Sequence, residues 1–274
     1  MIRLHGVALI FRKDWLEMRR NWAVLFPLVV FPIVFAVMLP IIAVLSTLPL
    51  PAQASSAGLV DMIKAFPSHV KYEIAGMSGQ QAIIYIISLY LFAPVFLIIP
   101  IMASSVIASD SFAGEKERRT IEALLATPLT DGEMLLGKML VSFAPAVIIT
   151  AVAFLIYSAV FDCLTIGIFN GRILLPNSIW LLLIFGLAPA LAFADIGLTV
   201  IISARVKGVK EAQQISALLL VPLVAAVLGQ ASGVMALDPL LLGTLTALLV
   251  AFDVGIFAAS IRAFGRDKIL MRIT

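Results

Sequence analysis

The chain has 274 residues, of which 62% are hydrophobic and 13% charged, a composition outside the range of a soluble domain of this length. This composition excludes a soluble domain and predicts an all-α, polytopic membrane protein. The formal net charge of +3 follows from the distribution of lysine and arginine among the loops, so it does not indicate binding to nucleic acid.

Charged residues are sparse enough that the uncharged intervals can be read directly as membrane spans. A membrane helix needs about 20 apolar residues, and six stretches meet this requirement if two of them carry one aspartate each. No internal repeat or low-complexity linker divides the sequence, so residues 1–274 are predicted to form a single transmembrane domain. The predicted spans are residues 22–46, 82–108, 139–161, 178–203, 214–235 and 240–262.

The charges of the loops predict the orientation, because lysine and arginine are retained on the cytoplasmic side during insertion. They concentrate in the N-terminal segment, in the loops after the second and fourth spans, and in the C-terminal tail. Only Lys64, Lys71 and Arg172 lie in the alternate loops. We therefore expect a multi-pass protein of the cell membrane with both termini in the cytoplasm.

The segment before the first span, residues 1–21, is predicted to be an amphipathic helix in the plane of the membrane interface. A solvated cytoplasmic helix is the alternative, but it would leave an apolar stripe in water. That stripe consists of Leu4, Val7, Ala8, Phe11, Trp15 and Met18.

The longest predicted outer loop, residues 47–81, follows the first span. Within it, residues 58–66 have the pattern of a short amphipathic helix that Pro67 should end. We expect this helix to lie on the outer surface of the membrane or over the mouth of a pathway.

Residues 110–138 combine both signs of charge with a small apolar patch between two long apolar stretches. The pattern predicts a helix from about Glu115 to Ala126, which Pro128 stops. Thr130 should then cap a new helix that becomes the third span and carries Glu133 in its first turn. A solvated loop is the alternative, but such loops rarely keep Ile121, Leu124 and Leu125 together, so we predict a docking surface for a cytoplasmic partner.

Two carboxylates lie inside predicted spans, Asp195 in the fourth and Asp253 in the sixth. At about 1.5 Å per residue, both fall about 12–14 Å from the inner ends of their helices, so a shared polar site is possible. An intramembrane carboxylate is a candidate functional residue by default. The alternative is a structural hydrogen bond to a neighbouring span.

Ala225, Gly229 and Gly233 form a series of small residues four apart in the fifth span. Such a series lets helices approach closely. The sequence leaves open whether the neighbouring helix belongs to the same chain or to a second one.

Catalytic, metal and phosphate sites have little support in this sequence. Residues 132–138 match the beginning of a phosphate-binding loop, but Met139 stands where serine or threonine must bind magnesium. The two histidines, His5 and His69, fall on opposite sides of the membrane in the predicted topology. We therefore expect no catalytic residue, cofactor or metal in this chain, and no enzymatic activity of its own.

The stretch that begins at Phe112 resembles the signature region of type 2 ATP-binding-cassette (ABC) exporter permeases. Lys13-Asp14 is similar to the leader of that family, and Lys210-Glu211-Ala212-Gln213 resembles its sodium-efflux-like branch. Arg119 stands where many members have glycine. The matching residues are Gly114-Glu115-Lys116-Glu117-Arg118, Thr120-Ile121-Glu122-Ala123-Leu124-Leu125-Ala126-Thr127-Pro128-Leu129 and Gly137-Lys138.

This resemblance implies an exporter permease that works as a homo- or heterodimer with two cytoplasmic ATPase subunits. Those subunits would bind ATP and magnesium and perform the hydrolysis. The leader would be the family's elbow helix, beside the coupling helix between spans two and three. The residues implied in coupling are Glu115, Glu117, Arg118, Arg119, Thr120, Glu122 and Leu124, with Lys210 and Glu211 in the second cytoplasmic loop.

Two other functions compete with this interpretation. An ion-coupled secondary transporter would use Asp195 and Asp253 as its ion-binding groups. An intramembrane enzyme is disfavoured because the sequence contains no catalytic constellation.

Overall fold

The computed structural model describes residues 3–47, 68–118, 120, 127–206, 208–231 and 238–263. Most of these residues are helical, and none of them forms a β-strand. The helices are α1 (Leu4–Arg20), α2 (Trp22–Leu45), α3 (Ser68–Glu73), α4 (Gly79–Glu117), α5 (Asp131–Thr165), α6 (Ser178–Ser203), α7 (Val209–Gln230) and α8 (Pro239–Ala263).

Six of these helices are long and apolar enough to cross a membrane: α2, α4, α5, α6, α7 and α8. The prediction of an all-α, polytopic membrane protein is therefore confirmed. The fourth span has the predicted bounds. The second and third spans are longer than predicted, because α4 extends to Glu117 and α5 begins at Asp131.

The long second span is not a uniform α-helix. It contains π-helical turns at Ile86–Leu91 and Asp110–Gly114. Such turns change the hydrogen-bonding register and leave backbone groups that need other partners. At the first turn, the Tyr157 hydroxyl donates to the carbonyl of Ser88 (2.9 Å), and the Trp180 indole donates to that of Leu89 (3.1 Å).

These two donors belong to an aromatic cluster that joins spans two, three and four. Trp180 is fully buried. Its ring stacks on those of Tyr157, at 4.9 Å between centroids, and Phe154, at 5.5 Å. Phe96 meets the same indole edge-on at 5.3 Å. Buried aromatic pairs contribute about 0.5–1.5 kcal/mol each beyond their buried area, so the cluster fixes three spans against one another.

The ends of the helices alternate between two sides of the bundle. The α1 helix lies on the side where α4 ends and α5 begins, which we call the leader end. Gln81, near the start of α4, donates to the carbonyl of Ile168 (2.6 Å), so the start of α4 and the end of α5 lie together at the opposite end. Among the described residues, this alternation agrees with the predicted order of crossings.

The α1 helix is amphipathic, but its buried face differs from the predicted stripe. Val7, Ile10, Asp14 and Met18 are buried, whereas Leu4 is 84% exposed and Ala8 is exposed. The face is rotated because α1 packs along the beginning of α5. Phe11 and Trp15 are half-buried and stack on each other at 6.1 Å, so they remain suited to the predicted interfacial position.

The predicted helix from Glu115 to Ala126 is wrong at its beginning. Glu115–Glu117 are the last turn of the second span, and the helix ends at Glu117 with Arg118 as its C-cap. The Thr120 amide then donates to the carbonyl of Glu115 (2.9 Å). This hydrogen bond spans five residues, whereas those of an α-helix span four. The remainder of that predicted helix, residues 121–126, and the predicted outer helix at 58–66 lie outside the described residues.

Candidate coupling site

The predicted N-cap of the third span is confirmed. The Thr130 side chain accepts from the Glu133 amide at 3.3 Å, and the Glu133 carboxylate accepts from the Thr130 amide at 3.0 Å. This reciprocal capping box satisfies amides that the first helical turn leaves free. Glu133 also accepts from the Arg3 amide at 2.7 Å, which ties the beginning of α1 to the beginning of α5.

A buried ion network joins α1, the end of α4 and the beginning of α5. The Lys138 ammonium is 1% exposed and lies 2.8 Å from a Glu115 carboxylate oxygen and 3.1 Å from one of Asp14. The same ammonium donates to the Ser111 carbonyl at 2.9 Å. Asp14 and Glu115 are themselves buried, so their charges need a partner inside the bundle. The Lys138 ammonium is a partner for both, and it thereby joins α5 to two other helices.

Lys13 supplies a second cation at the solvent side of the network. Its ammonium contacts Glu115 at 2.6 Å, Asp14 at 3.0 Å and Glu17 at 3.5 Å. One oxygen from each of these three acids lies within 4.8 Å of the others, a spacing that could suit a metal ion. Lys13 contacts all three, so an internal ammonium takes the position that a bound cation would need.

These contacts shift the pKa values of the α1 groups towards their charged forms. Burial by itself raises the pKa of Asp14, but the Lys138 and Lys13 ammoniums outweigh it and lower that pKa below its ordinary value. Burial likewise opposes the charge on Lys13. Its hydrogen bond to Glu115 and the charges of Asp14 and Glu115 outweigh this effect and raise the Lys13 pKa.

Arg118 closes the network at the end of the second span. Its guanidinium lies 2.9 Å from a carboxylate oxygen of Asp110, eight residues earlier in the chain, and 3.2 Å from one of Glu17 in α1. Burial opposes its charge, yet the hydrogen bond and charge of Asp110, with Glu17 and Glu115, raise the Arg118 pKa. The turn at Arg118 is thus fixed to the leader helix by its own side chain.

The same short segment also contacts the connection between spans four and five. The Lys116 ammonium donates to the Val206 carbonyl at 2.9 Å, and the Glu117 carboxylate accepts from the Val209 amide at 3.0 Å. Val209 begins α7, so Glu117 also places a negative charge at a helix N-terminus, where it is favourable. Residues 115–118 therefore contact α1, α5, the connection after α6, and α7.

The predicted coupling residues differ in their exposure to solvent. Glu115 is buried and acts within the bundle rather than on its surface. Glu117 and Arg118 are exposed at its border, as is Thr120, and Lys210 and Glu211 are exposed in the first turn of α7. Arg119, Glu122 and Leu124 lie outside the described residues.

The two intramembrane carboxylates have different surroundings. Asp195 is fully buried and accepts from the Ser104 hydroxyl at 2.6 Å, the structural bond to a neighbouring span that was the predicted alternative. Asp253 instead lines a cavity between α5, α6 and α8. Asp195 does not line that cavity. A polar site shared by Asp195 and Asp253 therefore stays a hypothesis, with no contact to support it.

In the part of the chain that the structure describes, the first of the small residues in the fifth span is not packed against another helix. Ala225 is exposed and Gly229 is half-buried, whereas Gly233 lies outside the described residues. None of the described residues therefore covers Ala225, which leaves this position open to a lipid or another protein chain.

Sequence reasoning missed the central role of Asp14 and Lys138. The signal for Asp14 was its spacing, because Val7, Ile10, Asp14 and Met18 follow one another at three- and four-residue intervals and so share a helical face. Lys138 had no comparable signal, because nothing in the sequence specifies that its ammonium meets acids from α1 and α4.

The fold and the contacts at the leader end define an integral membrane protein with six spans and an N-terminal helix docked on one end of the bundle. A family model described as ABC-2 family transporter protein matches residues 8–261. The chain belongs to this family and is a permease component of an ABC transporter. A search of curated proteins found no match.

Proposed function

We propose that this chain is the permease subunit of an ATP-driven exporter and that separate cytoplasmic ATPase subunits dock at its leader end. Those subunits bind ATP and magnesium and hydrolyse the nucleotide. A pair of permease subunits, identical or different, encloses the path. The sodium-efflux-like branch stays a prediction.

The observation that carries this proposal is the set of contacts made by residues 115–118. A partner that displaces this segment acts on α1 and α5 through Glu115, on the connection after α6 through Lys116, and on α7 through Glu117. Helices joined in this way move together rather than one by one. A partner shifts such an assembly only if it contacts its two states differently, as an ATPase with and without nucleotide would.

The second candidate, an ion-coupled carrier, loses support. It requires Asp195 and Asp253 to act as ion-binding groups, but Asp195 accepts a short hydrogen bond from Ser104 and faces the bundle interior. The family of the chain also favours a transporter with ATPase partners.

The docking surface is tested by Leu124→Asp, which places a charge in the apolar patch that should meet the ATPase. We expect at least a tenfold loss of ATPase subunit recovered with the tagged chain, because burying an unpaired carboxylate at an interface costs several kcal/mol. Tyr72→Asp is the matched control, since Tyr72 is 81% exposed at the opposite end. Equal recovery with both variants would argue against docking at this segment.

The proposed orientation is tested with Cys163, the sequence's single cysteine, which is exposed near the end of α5 opposite to the leader. A membrane-impermeant maleimide added to intact cells should modify it. In a Cys163→Ala background, Lys210→Cys at the leader end should react only after the cells are lysed. The reverse pattern would place the leader end outside the cell and defeat the proposal.

A further inference from the structure

A cavity of about 410 Å³ lies between spans three, four and six and opens at the surface of the chain. Its volume is within the range of sites for small molecules. Three phenylalanines from the three spans, Phe143, Phe193 and Phe257, contribute to the lining. The Phe193 ring meets that of Phe143 edge-on, at 6.0 Å between centroids, and is tilted against that of Phe257, at 6.3 Å. The three rings therefore form a continuous aromatic wall.

Asp253 is the acidic group of this otherwise apolar lining. It is 7% exposed, and its Oδ1 atom is buried without a hydrogen-bond partner. Among the residues that the structure describes, no cation pairs with this carboxylate. An ionisable side chain inside a membrane span is costly to insert, by about 2.5–3.5 kcal/mol at the helix centre, and normally has a partner.

The chemistry of the lining determines which ligand would match it. An inorganic cation prefers several oxygen ligands, but Asp253 is accompanied by apolar and aromatic side chains. A neutral ligand would leave the carboxylate unmatched, and an anion would be repelled. An organic cation with an apolar body satisfies both parts, because its charge pairs with Asp253 and its body contacts ring faces that attract cations.

We infer that this cavity binds a hydrophobic organic cation through Asp253 and the aromatic wall of Phe143, Phe193 and Phe257. At about 1.5 Å per residue, Asp253 lies about 12–14 Å from the leader end of α8. This depth is within the hydrocarbon core, below the level of the lipid headgroups. The ligand is therefore a free lipophilic cation rather than the amine of a phospholipid. The inference does not depend on the proposed ATPase partners.

The test is equilibrium binding of radiolabelled tetraphenylphosphonium to the purified full chain in a neutral maltoside detergent. We expect saturable binding that Asp253→Asn weakens at least tenfold, because the substitution keeps the shape of the side chain and removes its charge. Asp195→Asn is the control, since it makes the same substitution at a buried carboxyl group outside the cavity and should leave the affinity unchanged. Tetraphenylborate, an anion of the same shape, should not compete.

A second variant keeps the test independent of the folding of Asp253→Asn. Phe257→Leu retains an apolar side chain but removes one ring face, so it should weaken binding about two- to fivefold. Absence of saturable binding, equal affinity of wild type and Asp253→Asn, or equal competition by tetraphenylborate would each overturn the inference. Because no ATPase is present, a negative result here leaves the proposed function standing.

Discussion

Replacing Lys138 by methionine is expected to destabilise the protein by about 3–5 kcal/mol, the range found when one partner of a buried ion pair is removed. Methionine preserves most of the side-chain length, so the loss reflects charge rather than packing. Asp14 and Glu115 would remain buried with only Lys13, whose side chain is 46% exposed, to match them. The measurement is thermal unfolding of the purified protein in detergent.

The control for this variant is Lys210→Met, which removes the same charge from an exposed position in α7. It should change the unfolding temperature little, because surface charges contribute about 0–1 kcal/mol. Adding Glu115→Gln to Lys138→Met should restore part of the lost stability, since Lys13 then has only one of the two buried carboxylates to neutralise. Equal unfolding temperatures for Lys138→Met and Lys210→Met would contradict the structural role of the network.

Gly137→Val is expected to displace the leader helix from the bundle. A Cβ atom at this position would lie 2.7 Å from the Cβ and Cγ2 atoms of Ile10 and 3.0 Å from the backbone oxygen of Val7. Neither backbone nor a β-branched side chain can give way easily, so α1 has to shift. Overpacking of this kind costs about 1–3 kcal/mol.

The displacement is measured by limited trypsin digestion followed by mass spectrometry. Cleavage after Arg12 and Lys13 should become several times faster in Gly137→Val than in wild type. Gly243→Val in α8 is the matched control, because nothing lies within 4 Å of an added Cβ atom there. If both variants are cleaved at the wild-type rate, the close approach of α1 to α5 does not hold the leader in place.

Hydropathy predicted the number and approximate positions of the spans because the exclusion of charge from a bilayer acts on each segment locally. The ends of spans two and three were harder to predict. Glu115 and Lys138 look like residues of a solvated loop, yet they neutralise each other inside the bundle. The second span predicted from charge therefore ended too early, and the predicted third span began too late.

The N-cap of the third span was predictable because it too depends only on residues that are close in sequence. Thr130 and Glu133 are three residues apart, and the geometry of a helix N-terminus brings them together without help from the rest of the chain. The helical face of the leader was not predictable in this way. Hydrophobicity alone grouped Leu4 and Ala8 with Val7, whereas Gly137 of the third span decides which face can approach closely.

The sequence by itself determined the class of protein, the order of the crossings and the location of the candidate coupling segment, because these follow from hydropathy, loop charge and a local motif. Only the tertiary structure decided that Lys138 matches Asp14 and Glu115, that Asp195 meets Ser104, and that Asp253 faces an aromatic cavity. The physical reason is distance along the chain. A buried charge needs a partner in space, and nothing in the residues beside it specifies which helix supplies that partner.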